Sequence, residues 1–246
     1  MRLIVNADDF GISKAVSLGI IEGHKNGIIT STTMMCNMPC AEWAAKLAKD
    51  YPDLGIGIHL VLTAGYPLSK GVDSLVDEYG KFKKISKIEE NLKIEDVRKE
   101  FKCQMEKFIS FGINPTHIDA HHHIHSIEKV FEVVKELAIE YKLPLRLLED
   151  KDKKMPSEIK HTDRFIGYFY DLPYIKPEGF IDIMEKNKNI EILELMCHPG
   201  YLDEYILRNS AYAIQRAKEL DTLTSDSVKQ YISSNDIELC NYRIFN

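Results

Sequence analysis

The densest group of side chains able to do chemistry lies between residues 115 and 125. Five histidines and one aspartate fall there, in the run Pro115-Thr116-His117-Ile118-Asp119-Ala120-His121-His122-His123-Ile124-His125. Imidazole is the commonest side-chain ligand of metal ions, and a neighbouring carboxylate can fix its tautomer. If the backbone stays extended, strand alternation places positions 117, 119, 121 and 123 on one side. The run therefore predicts a metal-facing row of side chains, with a surface histidine patch as the alternative.

Two adjacent carboxylates, Asp8 and Asp9, follow an apolar run near the start of the chain, in Asn6-Ala7-Asp8-Asp9-Phe10-Gly11. In parallel α/β folds the C-terminal ends of the strands face the ligand crevice. Neighbours on a regular strand point to opposite sides, so we expect a bend at Gly11 to re-aim one carboxylate. Two close anions repel each other unless a cation or a proton separates their roles. We interpret one as a metal ligand and the other as a free base; an Asx turn with a helix N-cap is the alternative.

Two further histidines close apolar runs that are typical of strands. His59 lies in Gly57-Ile58-His59-Leu60-Val61-Leu62-Thr63, and His198 lies in Leu195-Met196-Cys197-His198-Pro199-Gly200-Tyr201. A histidine surrounded by apolar residues needs hydrogen-bond partners, so a satisfied core histidine is one interpretation of each. Their positions at strand ends favour a second one, with His59 as a ligand and His198 as a general acid.

Short apolar runs alternate with amphipathic segments along the chain, which predicts a mostly parallel sheet with helical crossovers. The predicted strands are Leu3–Ala7, Ser31–Met35, Gly55–Leu62, His117–Ala120, Leu145–Leu148, Phe165–Tyr168, Ile192–Cys197 and Glu238–Arg243. The predicted helices are Ser13–Lys25, Pro39–Lys49, Ile94–Phe111, Ser126–Tyr141, Pro177–Lys186 and Ala211–Leu220. Arg146 lies in one predicted strand, where it either braces a catalytic aspartate or forms a structural salt bridge. The polar stretch at about 63–93 is expected to be a long loop or insertion.

The bulk properties bound the class of protein. The chain has 246 residues, a formal net charge of −6 and 44% hydrophobic residues, which suits one globular domain with a sizeable core. Lys and Arg are scattered, so we expect neither nucleic acid nor a membrane surface as a partner. No signal peptide or long apolar run is present, and we expect a cytoplasmic location. The five cysteines are widely spaced and are expected to be reduced.

The motifs around Asp8, His59, residues 115–125 and His198 together resemble the YdjC-like carbohydrate deacetylase family, which includes bacterial chitooligosaccharide deacetylases. The resemblance runs from residue 3 to the end and includes Thr30-Ser31-Thr32-Thr33 and Arg216-Ala217-Lys218-Glu219-Leu220. It implies a single domain over residues 1–246 with a distorted (β/α) barrel of the glycoside hydrolase/deacetylase type. It also implies a homodimer and a hydrolase that removes acetyl groups from small N-acetylated sugars.

The resemblance implies a role for each site residue. Asp9, His59 and His123 match the metal ligands, with His121 as the close alternative to His123. Asp8 matches the general base and His198 the general acid, while Asp119 would support a ligand. The family implies Mg²⁺, whereas two imidazoles and one carboxylate suit Zn²⁺, Mn²⁺ or iron better, so the identity of the ion stays open.

Two other functions compete with the deacetylase. A metal-dependent phosphoesterase also uses His/Asp clusters on a barrel, but it usually needs two adjacent ions and basic residues for phosphate. A non-catalytic sugar-binding protein has little use for a free aspartate beside a metal ligand. Aromatic side chains available to stack on a sugar ring are Tyr66, Phe82, Tyr168, Tyr170 and Tyr201.

Overall fold

The computed structural model describes residues 1–148 and 155–245, and within them seven strands form one parallel sheet. The strands are Arg2–Phe10 (β1), Ser31–Met34 (β2), Gly55–Leu60 (β3), Ile118–Ala120 (β4), Arg164–Ile166 (β5), Ile192–Cys197 (β6) and Glu238–Cys240 (β7). Their order is β4-β3-β2-β1-β6-β5, with β7 paired to the first residues of β1. The sheet curls into a half-barrel, which confirms the distorted parallel α/β barrel expected from the sequence.

Eight α-helices cover this sheet in the described part of the chain. They are Lys14–Asn26 (α1), Ala41–Ala48 (α2), Ile94–Ser110 (α3), Glu128–Tyr141 (α4), Pro177–Lys186 (α5), Glu204–Asn209 (α6), Ile214–Thr224 (α7) and Asp226–Ser234 (α8). Ser13 caps α1 by accepting from the Val16 amide, as its residue type predicts. Among the residues described, no helix has the length and apolar character needed to cross a bilayer.

Most elements lie where the hydrophobic pattern predicts them, and three differ. The predicted strand Leu145–Leu148 is reduced to a single bridge between Leu145 and Ile118, although the Arg146 amide also bonds to the Ile118 carbonyl. The helices α6 and α8 were not predicted, because each is short and follows polar residues without a long apolar stripe. These three differences hardly change the site, since the predicted strands β1, β3, β4 and β6 all end at its edge.

The stretch between β3 and α3 carries two short 3₁₀ helices, Asp73–Leu75 and Ile85–Lys87, and an antiparallel bridge between Val76 and Phe82. Leu75 and Phe82 are buried in the main core, so this segment packs against the barrel. Its polar edge is anchored by Glu100 of α3, which accepts from the Ser69 amide and hydroxyl. The insertion is therefore a fixed wall beside the ends of the strands.

Candidate active site

The end of β1 places both aspartates in the interior. Asp8 and Asp9 are almost fully buried, and the pairing of β1 with β2 shifts register between Ala7 and Phe10. Asp9 has φ 71°, a left-handed backbone that aspartate tolerates better than most residues. The irregularity begins at Asp9 itself, two residues before Gly11, where φ 88° gives the bend expected from the sequence. It breaks strand alternation and allows two consecutive carboxylates to reach one site.

Asp9, His59 and His121 bring three ligand atoms together. The Asp9 Oδ1 atom lies 3.5 Å from His59 Nε2 and 3.2 Å from His121 Nδ1. These three atoms all lie within 4.8 Å of one another. Ligands held about 2.1 Å from one tetrahedral ion are about 3.4 Å apart, so the spacing suits a shared cation. Asp9 Oδ1 is buried and makes no hydrogen bond of good geometry within residues 1–148 and 155–245, and a buried carboxylate oxygen of this kind suits a metal ligand.

The other nitrogen of His59 is held by Asp119. His59 Nδ1 lies 2.6 Å from Asp119 Oδ1, and Thr33 Oγ1 donates to Asp119 Oδ2 at 3.0 Å. A proton on Nδ1 leaves the Nε2 lone pair free to face Asp9. Burial favours neutral His59, but Asp119, together with Asp8 and Asp9, raises its pKa to about 9 in the free protein. The raised pKa reports a site with surplus negative charge.

Arg146 lies between three buried carboxylates and is itself fully buried. Its Nη1 and Nη2 atoms donate to the two oxygens of Asp8 at 2.8 and 2.6 Å. Nη2 also lies 2.9 Å from Asp119 Oδ2, and Nε donates to Glu194 at 2.9 Å. Burial alone raises the pKa of Asp8, but the Arg146 guanidinium outweighs it and holds that pKa well below its usual range. Arg146 thus keeps Asp8 ionised and fixed in orientation.

The histidine run does not stay extended. The strand β4 ends at Ala120, and residues 121–126 turn in a 3₁₀ conformation with left-handed backbone at His122 (φ 53°) and His123 (φ 50°). The expected alternation from 117 to 123 is therefore wrong beyond Ala120. Because of the turn, His121 faces Asp9, while His123 packs edge-on against Phe165 with a ring separation of 5.6 Å. Burial lowers the pKa of His123 to about 4.

His198 closes the site from the end of β6. Its Nε2 atom lies 3.9 Å from Asp8 Oδ2, and its Nδ1 atom is buried with no hydrogen-bond partner in the described part of the chain. Burial lowers the pKa of His198 to about 4, although Asp8 and Asp9 favour the charged form. The imidazole is therefore neutral in the free protein at pH 7. It lies close enough to Asp8 to exchange a proton through a small rearrangement.

The helix α7 contributes two charged side chains to the same site. Arg216 Nη2 donates to Asp9 Oδ2 at 2.6 Å, and Oδ1 of that carboxylate faces His59 and His121. Burial opposes ionisation of Asp9, but Arg216 and His121 hold its pKa well below the usual range. Glu219 accepts from the His198 backbone amide at 2.5 Å and from the Tyr212 hydroxyl.

Comparison with known proteins identifies the family of this chain. The family model for YdjC-like protein matches residues 2–234. The chain belongs to the YdjC-like family. It is 58% identical over 243 residues to a carbohydrate deacetylase of Clostridium beijerinckii, covering 99% of both chains. It is 39% identical over 249 residues to a chitooligosaccharide deacetylase of Proteus mirabilis, covering 98% of this chain and 97% of that protein.

A solved structure supports the architecture as well. The crystal structure of a putative cellobiose-phosphate cleavage protein from Enterococcus faecalis superposes with a TM-score of 0.94 at 36% identity. The match covers 99% of this chain and 98% of that one. The family resemblance inferred from the sequence motifs is therefore confirmed over nearly the whole chain.

In this YdjC-like chain the polar groups open into a cleft of about 870 Å³. Its floor holds Asp8, Asp9, His59 and His198, and its walls include the rings of Tyr66, Tyr170, Tyr205 and Tyr212. Of the five aromatic residues expected to stack on a sugar, two line the cleft, and Tyr201 is exposed but does not line it. Tyr66 and Tyr170 line the cleft, Phe82 is buried in the core, and Tyr168 packs against Tyr174. The cleft has the size of a small-molecule site.

The structure brings Asp8, Asp9, His59 and His198 to one cleft, and His121 and His123 line it too. His121 lies within the group of close ligand atoms; neither such group found in residues 1–148 and 155–245 includes His123. Sequence reasoning assigned no role to Glu194, Arg216 or Glu219. The available signal was charge at core-facing positions, since Arg216, Glu219 and Leu223 share one helical stripe.

Proposed function

We propose that this protein is a metal-dependent hydrolase that removes acetyl groups from small N-acetylated carbohydrates. Its class, carbohydrate deacetylase, is confirmed by curated relatives up to 58% identical over the whole chain. The observation that carries the metal-dependent mechanism is the unpartnered Asp9 Oδ1 facing two imidazole nitrogens beside a carboxylate held by Arg146. The substrate and the ion are the parts that need an experiment.

The charges around the cleft support a divalent ion. Asp8, Asp9, Asp119 and Glu194 are buried, and Arg146 and Arg216 are the cations bonded to them. With the carboxylates ionised and the imidazoles neutral, as metal binding requires, four carboxylates and two guanidinium groups leave a net charge of −2. An uncompensated charge in a protein interior is strongly unfavourable, so a group of charge +2 fits the site.

We assign the ion to Asp9, His59 and His121, with His123 as the alternative to be tested. The second close group, Asp8 with His59 and Asp119, is a poorer site for an ion, because Arg146 is bonded to both of its carboxylates. Two imidazoles and one carboxylate favour Zn²⁺, Mn²⁺ or iron over Mg²⁺. When bound, such an ion polarises a carbonyl group and lowers the pKa of a nearby water.

Asp8 is proposed as the base that takes the proton of the attacking water. Arg146 holds it ionised, so the carboxylate is ready to accept at any pH above the acid range. A lowered pKa makes Asp8 a weak base. Its contribution to the rate therefore depends on its fixed position next to the reacting water. Arg146 is then a positioning residue for Asp8.

His198 is proposed as the acid that protonates the leaving sugar amine. Because burial lowers its pKa to about 4, the imidazole starts neutral and must receive its proton during the reaction. Asp8 Oδ2, 3.9 Å from His198 Nε2, is the group placed to pass on the proton taken from water. One proton thus moves from water to Asp8, to His198 and to the amine, so the proton count balances.

The cleft favours a small sugar chain as substrate. Tyr66 and Tyr170 are 53% and 42% exposed, respectively, at its wall, and Asn37 and Ser210 offer polar contacts beside them. Aromatic faces with nearby amide and hydroxyl groups suit pyranose rings, which have apolar faces and polar edges. We propose N-acetylated disaccharides or short chitooligosaccharides, by analogy with the named activity of the Proteus mirabilis relative.

The test is acetate release from diacetylchitobiose by the purified chain. We expect release that stops after chelation and returns with one divalent ion per chain, measured by calorimetry with Zn²⁺, Mn²⁺ and Mg²⁺ in turn. Two ions per chain and release of phosphate from a sugar phosphate indicate a phosphoesterase instead. Sugar binding without acetate release contradicts the enzyme and indicates a binding protein.

A pair of variants distinguishes the two ligand assignments. We expect His121→Ala to weaken ion binding by at least about 100-fold, because it removes a direct ligand, and His123→Ala to weaken it by less than about tenfold. The reverse order assigns the ion to His123. The single domain over residues 1–246, the homodimer and the cytoplasmic location remain predictions.

A further inference from the structure

Glu219 is a buried carboxylate that the proposed reaction does not use. It is fully buried on α7, and no guanidinium or ammonium group is hydrogen-bonded to it within residues 1–148 and 155–245. Burial raises its pKa to about 7, although the Tyr212 hydroxyl and the His198 amide favour the ionised form. Burying a carboxyl group without a cation bonded to it is unfavourable, and its two hydrogen bonds offset only part of that cost.

The partners of Glu219 both belong to the surroundings of His198. One carboxyl oxygen accepts from the His198 backbone amide, and the other accepts from the Tyr212 hydroxyl. The Tyr212 and Tyr170 rings both stand edge-on to the His198 imidazole, at 5.6 and 6.3 Å. The Tyr212 hydroxyl also lies 3.2 Å from the Tyr170 carbonyl oxygen. One carboxyl group therefore contacts the backbone of His198 and the hydroxyl of Tyr212, whose ring flanks the imidazole.

The backbone that carries His198 is fixed at its other end as well. The Gly200 amide donates to the Arg216 carbonyl at 3.1 Å, and the Tyr201 amide donates to the Ala15 carbonyl at 3.3 Å. A Cβ atom built on Gly19 of α1 meets Gly200 Cα at 2.5 Å, so the two backbones are in direct contact. The turn after β6 is thus clamped between α1 and α7, and its first residue is held by Glu219.

We propose that Glu219 is a positioning residue that orients His198 towards Asp8 through the His198 amide and the Tyr212 ring. The proposal rests on the proposed function, in which His198 protonates the leaving amine. It explains how the imidazole is oriented although its own Nδ1 has no partner. The orientation comes from the backbone and from the flanking rings.

Two substitutions at Glu219 separate hydrogen bonding from side-chain size. Glu219→Gln keeps an oxygen for the His198 amide and gives Tyr212 an N–H donor, so we expect kcat to fall by no more than about tenfold. Glu219→Met keeps a similar length but has no strong acceptor, and we expect kcat to fall by about 100-fold with an unchanged KM. The matched control is Asp221→Asn, which neutralises an exposed carboxylate on the same helix.

A double-mutant comparison decides whether Glu219 acts through His198. In a His198→Ala background, Glu219→Met should cause no further loss of kcat, because the group that it positions is absent. Equal losses in both backgrounds, or a loss of about 100-fold in Glu219→Gln, overturn the proposal. Glu219→Gln keeps the test decisive if Glu219→Met does not fold.

A readout independent of activity is the exchange of the His198 amide with deuterated solvent. With ¹⁵N-histidine the spectrum contains signals from nine residues, and His198→Ala identifies the one required. We expect a slowly exchanging amide in the wild type and Glu219→Gln, and exchange at least about tenfold faster in Glu219→Met. An unchanged exchange rate in Glu219→Met contradicts the proposal. If the wild type releases no acetate, the proposed function fails, and this measurement still decides the role of Glu219.

Discussion

The two halves of the site are organised differently. The strand cluster is defined as Asp8, His59, Asp119, Arg146 and Glu194. The α7 cluster is defined as Tyr212, Arg216 and Glu219. In the strand cluster one guanidinium group bonds to three carboxylates, so its members depend on each other. In the α7 cluster each charged side chain holds one separate group, Asp9 or the His198 amide.

The difference teaches which part of the site sets its charge and which part sets its geometry. With His59 neutral, as a metal ligand must be, the strand cluster holds three carboxylates against one guanidinium and so carries an anionic surplus that attracts a cation. In the α7 cluster, Arg216 is bonded to the proposed ligand Asp9, and Glu219 is bonded to the backbone of the proposed acid His198. Substitutions in the strand cluster should therefore have the larger effects on ion binding, turnover and stability, and substitutions in the α7 cluster the smaller ones.

The largest expected effect lies in the strand cluster. We expect Asp8→Asn to lower kcat by about 10²–10⁴-fold, because the amide cannot take a proton from water. Ion binding should persist, since Asp8 is not among the proposed ligands, whereas His59→Ala should abolish it. Acetate release and calorimetry with the divalent ion measure the two quantities. A full deacetylation rate in Asp8→Asn shows that the base is another group.

The strand cluster, apart from Glu194, was also the half whose residues the sequence singled out. His59 and Asp119 interrupt apolar strand patterns, and Asp8 lies at the end of the first strand, so each is visible as a polar residue in an apolar context. Arg146 was expected to brace an aspartate or to form a structural salt bridge, and its contact is with Asp8. Parallel strands bring their C-terminal ends to one edge, which is why a linear pattern predicts proximity here.

The rest of the site depends on turns and on a helix placed by tertiary packing. The left-handed backbone at Asp9, His122 and His123 decides which side chains face the ion, and strand alternation does not contain this information. Arg216 and Glu219 lie more than 200 residues from Asp9 and about 20 from His198 along the chain. Their spacing shows that they share a helical face, but not which strand end that face meets.

The second prediction compares the two buried arginines. Arg146→Met leaves three buried carboxylates without their cation and should lower the free energy of unfolding by about 3–5 kcal/mol or more. Arg216→Met removes the ion-pair partner of Asp9 alone, and we expect a smaller loss. Urea denaturation with and without the divalent ion measures both.

The divalent ion sharpens this comparison. Because the proposed ion binds Asp9, it should offset more of the loss in Arg216→Met than in Arg146→Met. The surface control is Arg98→Met, whose guanidinium bonds to Glu136 with 35% of its side chain exposed, and which should change stability by no more than about 1 kcal/mol. Equal losses for all three arginines mean that the strand cluster has no special dependence on its central cation.

The smallest expected effect is a pH dependence in the α7 cluster. Because the pKa of Glu219 is raised to about 7 from an ordinary value of 4.5, the folded state keeps a proton that the unfolded state has lost between these values. Stability must therefore fall as pH rises through this window and level off above it. Glu219→Gln lacks this titration, so the wild type should lose on the order of 3 kcal/mol of unfolding free energy relative to this variant between pH 4.5 and pH 8.

Urea denaturation at several pH values measures this difference in stability. The control Asp221→Asn, at an exposed position, should show the same pH dependence as the wild type. A constant difference between wild type and Glu219→Gln over that range would mean that Glu219 is ionised throughout, held by its two hydrogen bonds rather than protonated by burial.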